Sequence, residues 1–123
     1  MGLDLKLATI VVTGGRGFLG KHVCEALAAA GAVEDQLHPT GKADFDLCDK
    51  SQIEELYLAL KPDILIHLAA VVGGIGANQE NPGRYLYENL VMATELIEAG
   101  RRYGKLEKFI GIGTICSYPK FTA

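Results

Sequence analysis

Cysteine is scarce in this chain. The three thiols, Cys24, Cys48 and Cys116, form neither a C-x-x-C pair nor a metal-binding spacing. That argues against a disulfide-stapled scaffold, and an odd, sparse set fits reduced thiols in a cytoplasm. No cluster of His, Cys and carboxylate suggests a metal. Excess positive charge is lacking too. Twelve basic side chains face 15 acidic ones, the net charge is −3, and no basic stripe offers a footprint for nucleic acid. No apolar run approaches the ~20 residues of a membrane span. The first six residues, Met1-Gly2-Leu3-Asp4-Leu5-Lys6, lack the pattern of a secretory signal. Repeats, low-complexity tracts and linkers are also missing. What remains is 123 residues, 49% of them apolar, enough for one domain with a real core.

Glycine is where the sequence is rich. Thr13-Gly14-Gly15-Arg16-Gly17-Phe18-Leu19-Gly20 follows the β-branched run Thr9-Ile10-Val11-Val12. It leads into a helical pattern with Leu19, Val23, Ala26, Leu27 and Ala30 on one face. Gly15, Gly17 and Gly20 read as G-x-G-x-x-G, and Gly14, Gly17 and Gly20 as G-x-x-G-x-x-G. Between a buried strand and an amphipathic helix, such a loop permits a tight turn, close approach of a pyrophosphate and close helix–strand packing. Free N–H groups at the helix start then face the anion.

The rest of the chain alternates in the same way. A strand over residues 7–13 precedes a helix that runs from about Phe18 to a stop at Gly31. Residues 32–46 are the least patterned, with short strands expected at 36–39 and 44–47. Asp49-Lys50-Ser51-Gln52 resembles a capping box, followed by Ile53, Leu56, Tyr57 and Leu60 at helical spacing and a stop at Pro62. Residues 63–72 form an almost continuous apolar run, as a strand buried on both faces requires. Asn81-Pro82 opens a long helix, and residues 108–115 read as a last strand. The expected fold is α/β: a doubly wound parallel (Rossmann) sheet of about five strands in the order 3-2-1-4-5. The long helix carries two adjacent apolar stripes, one of Tyr85, Met92, Leu96, Ala99 and Tyr103, the other of Leu86, Leu90, Ala93 and Ile97. A helix covering a sheet needs one. The second is either part of a wide core-facing band or a contact with another helix, such as that of a homodimer through residues 82–103.

The glycine loop, Ile64-Leu65-Ile66-His67-Leu68-Ala69-Ala70 and Ile112-Gly113-Thr114 together resemble the extended short-chain dehydrogenase/reductase family. Val72-Gly73-Gly74-Ile75-Gly76-Ala77-Asn78 and Gly113-Thr114-Ile115-Cys116-Ser117-Tyr118-Pro119-Lys120 resemble its GDP-L-fucose synthase branch more specifically. The resemblance implies an NADP-binding, nucleotide-sugar epimerase/reductase acting on a GDP-linked keto-deoxyhexose. It implies that Gly14, Gly15, Arg16, Gly17, Phe18, Leu19 and Gly20 cradle the cofactor. Asp46 and Leu47 would meet the adenine, and Leu68, Ala69 and Ala70 would line the dinucleotide. Thr114 would donate to the substrate carbonyl oxygen, and Cys116 would move protons next to the ketone. The family's Tyr-x-x-x-Lys pair and most of its substrate domain would lie beyond Ala123, so these residues are expected to form the N-terminal part of the nucleotide-binding domain, inactive alone. A related 4-epimerase or dehydratase, or a non-catalytic NADP-binding module, remains open. Tyr57-Leu58-Ala59-Leu60-Lys61 matches the Tyr-x-x-x-Lys pattern but precedes the apolar run at 63–72, with Tyr57 on its helix's apolar stripe, so it is read as structural.

An NAD site places an acid at the end of the second strand, for the ribose hydroxyls. The corresponding window, His38-Pro39-Thr40-Gly41-Lys42, offers one base and no acid, and Arg16 adds a second cation. NADP is therefore expected over NAD, and the resemblance implies that Lys42 and Arg16 hold the 2′-phosphate. A shifted boundary would bring Asp35 or Asp44 into play as an acidic partner. His67, inside its strand, is expected to be a satisfied core histidine.

Overall fold

The computed structural model describes residues 3–114 and 117–119. Four parallel strands, β1 (Ile10–Thr13), β2 (Leu37–Thr40), β3 (Ile64–His67) and β4 (Lys108–Gly111), lie in the order β2-β1-β3-β4. They pair in register, Ile10 beside Leu37 and Ile64, and Ile64 beside Lys108. Their carboxyl ends therefore line up along one edge. The chain leaves β1 toward β2 on one side and later returns to β3 on the other, which opens a crevice above the ends of β1 and β3. This is the doubly wound parallel architecture expected from the pattern.

Each helix forms for a local reason. Helix α1 (Phe18–Ala29) ends in a Schellman motif: Gly31, at φ 108°, donates to Ala28 O, and Ala32 N donates to Leu27 O. Helix α2 (Lys50–Leu60) is capped by Asp49, whose carboxylate accepts from Ser51 N at 2.9 Å. Gln52 departs from a capping box and reaches further back, accepting from Asp46 N at 2.7 Å. Lys61 then terminates α2 in the left-handed region at φ 48°. A short helix, α3 (Ile75–Glu80), precedes the long α4 (Pro82–Tyr103), which has proline in its first turn and Gly104 at φ 73° as its cap.

Two apolar clusters cover the two faces of the sheet. Val11 and Leu65 pack with Ile53, Leu56 and Tyr57 of α2 and Met92, Leu96 and Ala99 of α4. Ile10, Val12, Ile64 and Ile66 face the other way, toward Val23 and Leu27 of α1. That alternation is the period of two that a strand covered on both faces demands.

Three expectations need correction. Residues 44–47 form turns, leaving four strands among the described residues where about five were expected. Alternate side chains of the segment still turn inward: Leu47 is buried and Phe45 packs on the α2/α4 cluster. The backbone, however, is satisfied locally. Phe45 N donates to Gly41 O, Asp46 N to Gln52 Oε1, and Cys48 N to Asp46 Oδ1, so no ladder is needed. The apolar run at 63–72 is a strand only to His67, and the following residues climb out until Val72 is 79% exposed. Likewise β4 ends at Gly111 rather than continuing to 115.

Candidate functional site

The glycine loop packs as the motif requires. Gly14 stands at φ 69°, and a Cβ there would lie 2.8 Å from Ala69 N. A Cβ on Gly15 would strike Pro39 at 2.6 Å, and one on Gly20 would run into Gly14 O. Gly15 N donates to both Val12 O and Thr40 O at 3.1 Å, tying the loop to the end of β2. Gly17 is the N-cap residue of α1, and among the described residues no side chain caps that start. The first N–H groups of α1 are thus left without a capping side chain. Phe18 and Leu19 are 83% and 49% exposed, with Phe18 edge-on to the His22 ring.

A cleft enclosing about 530 Å³, part of it open to solvent, lies beside this loop. It brings together Gly14, Lys42, Asp46, Leu47, Ala69 and Ala70, six of the residues singled out from the sequence, with Thr13, Cys48 and Glu88. Leu68 is not among its walls: it turns to the α1 side and packs with Ile10, Val12 and Ile66. Thr114 follows β4, is exposed, and its carbonyl accepts from Ser117 N at 3.1 Å. Cys116 lies outside the described residues.

The charges around the cleft are paired. Arg16 reaches the end of β2, where its Nη2 donates to Asp44 Oδ1 at 3.0 Å. Lys42, largely exposed, stands 3.5 Å from Asp46. Burial pushes the Cys48 thiol up, and the carboxylates of Asp46 and Glu88 push it further, so it is held as a thiol rather than a nucleophilic thiolate. Tyr57 is buried and donates to Leu96 O at 2.8 Å, and burial drives its phenol far above the ordinary range. The Tyr57/Lys61 pair is therefore structural: the phenol ties α2 to α4, and Lys61 closes a helix.

Two contacts that the sequence does not advertise hold the crevice in shape. Thr13 Oγ1 and His67 Nδ1 are 2.8 Å apart across the ends of β1 and β3, and both residues are buried. Burial lowers the His67 pKa, keeping the ring neutral. Asn89, on α4, grips the chain leaving β3: its Oδ1 accepts from Val71 N at 2.8 Å, and its Nδ2 donates to Val71 O at 2.8 Å and Tyr85 O at 2.7 Å. No local pattern marks Asn89 as a clamp, because Val71 lies 18 residues away.

Residues 10–123 match the NAD dependent epimerase/dehydratase family. The chain belongs to that family. Among its members, a GDP-L-fucose synthase of Sinorhizobium fredii is 36% identical over 115 residues, covering 93% of this chain and 35% of the relative. A GDP-L-colitose synthase of Yersinia pseudotuberculosis is 33% identical over 111 residues, covering 90% of this chain and 35% of the relative. The chain thus spans about a third of the length of the curated relatives it matches. A solved GDP-L-fucose synthetase from Naegleria fowleri, bound to NADP, superposes with a TM-score of 0.80 at 26% identity, covering 100% of this chain and 38% of that one. Among the described residues, no group of three or more His, Cys, Asp or Glu is placed to hold a metal ion, and no helix is long and apolar enough to cross a membrane.

Proposed function

We propose that this chain is the NADP-binding portion of a nucleotide-sugar epimerase/reductase that converts GDP-4-keto-6-deoxy-D-mannose to GDP-L-fucose. The reaction is epimerisation at C3 and C5 followed by reduction at C4. The observation that carries this reading is the glycine cradle. Its backbone leaves no room for side chains at Gly14, Gly15 and Gly20, it opens on the crevice between β1 and β3, and Arg16 extends from it to the end of β2. The residues present fit a phosphorylated dinucleotide. The start of α1 supplies N–H donors for the pyrophosphate, Asp46 and Leu47 meet the adenine, and Ala69 and Ala70 give a flat wall. Arg16 and Lys42 take the 2′-phosphate. NADPH, when bound, supplies the hydride.

The protein groups have distinct tasks. The Thr114 hydroxyl donates to the C4 carbonyl oxygen, where negative charge develops. Cys116 exchanges a proton with a carbon next to the ketone, on the face of the sugar that it meets. The free thiols of Cys24 and Cys48 support a cytoplasmic setting. The second apolar stripe of α4 is open, with Leu86 69%, Leu90 57% and Ile97 53% exposed, which supports a homodimer contact along that helix.

Isotope exchange tests the assignment. The intact protein, given the keto sugar in D₂O, exchanges at C3 and C5 and oxidises NADPH. Cys116→Ser abolishes the exchange and still reduces a pre-epimerised substrate. Exchange at the normal rate in the mutant removes Cys116 from the mechanism, and no NADPH oxidation by the intact protein removes the function.

A further inference from the structure

Asp44 sits where the structure and the cofactor reading meet. The end of β2 is where this architecture places the ribose that distinguishes NADP from NAD. There the Asp44 carboxylate takes a forked contact with Arg16, Nη2 to Oδ1 and Nη1 to Oδ2, both at 3.0 Å. Its Oδ2 also accepts from Gly41 N at 2.8 Å. A phosphate monoester at this point needs the same groups: a guanidinium fork and a backbone N–H. The carboxylate holds them in its place.

Asp44 does not owe its position to Arg16. The backbone turns here by itself, Asp44 N donating to Gly41 O at 3.0 Å and Phe45 N at 3.2 Å. The acid is therefore presented to the end of β2 whichever cofactor arrives. The Arg16 side chain is 61% exposed and that of Asp44 30%, so solvent screens the pair but leaves Arg16 free to re-aim. A ribose 2′-hydroxyl can donate to Asp44 with the pair intact. A 2′-phosphate must draw Arg16 and Gly41 away from the carboxylate and tolerate its charge nearby.

We propose that Asp44 is a specificity-determining residue, an internal counter-ion of Arg16 that limits the preference for NADP over NAD. This rests on the NADP reading above and adds to it a residue that works against the cofactor the cradle otherwise selects.

The test is the ratio of NAD to NADP dissociation constants, measured by titrating the intact protein with each nucleotide. Asp44→Asn removes the charge and retains an acceptor for Gly41 N, so the turn is preserved. NADP binding should tighten about 3- to 10-fold, with NAD unchanged or weaker. Asp44→Ser, which also retains an acceptor, should move the ratio the same way. In an Arg16→Ala background the effect of Asp44→Asn should shrink to below about 2-fold, because the competition has lost its object. A ratio that does not rise overturns the proposal, as does a full effect that persists without Arg16. The cofactor reading fails separately: wild-type protein that binds neither nucleotide, or NAD alone, overturns both. Binding of both with no shift in Asp44→Asn overturns only the counter-ion.

Discussion

Two glycine-rich turns follow strands in this molecule, and they use glycine differently. After β1, glycine is required by the chain's own packing: side chains at Gly14, Gly15 and Gly20 would collide with Ala69, Pro39 and Gly14 backbone or ring atoms. After β3, Gly74 and Gly76 have nothing within 4 Å of where a Cβ would stand, and a Cβ on Gly73 would meet side chains, Tyr85 Oη at 2.7 Å and Ala77 Cβ at 2.8 Å, rather than backbone. That turn is held by side chains. Asn78 Nδ2 donates to Gly73 O at 2.9 Å and to Gly74 O at 3.1 Å, and Asn89 clamps Val71 just upstream. The first turn is thus a rigid cradle made of backbone. The second is an exposed ledge, with Val72 79% and Ile75 80% exposed. Glycine content alone does not separate the two. What each Cβ would meet does: backbone and a proline ring after β1, open space or side chains after β3.

Substitutions test the contrast. The largest effect is expected at Gly20, where a methyl group meets backbone that cannot yield. Gly20→Ala should cost about 3 kcal/mol or more in chemical denaturation. A loss below about 1 kcal/mol would mean that the cradle is soft. Next comes the clamp. Asn89→Ala leaves Val71 N and O without their partner and should cost about 1–3 kcal/mol, with faster amide exchange at Val71. Unchanged exchange would show that the ledge is held by something else. The smallest effect belongs to Gly76, inside α3. Gly76→Ala should lie within about 1 kcal/mol of wild type, on the stabilising side, because alanine favours a helix and meets no neighbour. Strong destabilisation there would erase the difference between the turns.

The contrast also shows which features are legible in the sequence. Strands β1 and β3 stand out as apolar runs, and α1, α2 and α4 as periodic ones, because burial on a sheet imposes a local period. The cradle is legible for the same reason, its glycines falling between a strand and a helix. Asp44-Phe45-Asp46-Leu47 has Phe45 and Leu47 turned inward as a strand would, yet a local turn onto Gly41 O and the Gln52 side chain satisfy its backbone. Helix α3 carries little buried surface, with no residue of it buried, and so leaves no periodic mark. Asn89 and the Thr13–His67 pair depend on partners brought close only by folding. Leu68 packs on the cluster of Ile10, Val12 and Ile66 and does not line the cleft, a placement its motif does not show.

The Thr13–His67 contact has a consequence for acid stability. His67 is the buried imidazole that joins the two turns, and burial lowers its proton affinity below the ordinary value of 6.5. At neutral pH both the folded and the unfolded chain carry it uncharged, and it contributes no pH dependence. As the solution is acidified through 6.5, the unfolded chain takes up a proton that the folded chain refuses. Protons thus act as a ligand of the unfolded state, pulling the equilibrium toward it until the folded ring also titrates. Burial of the ring that aligns β1 with β3 therefore adds a source of acid sensitivity inside the sheet, beside that of the surface carboxylates Asp49 and Glu98, whose proton affinity is lowered by hydrogen bonds from Ser51 and Arg101.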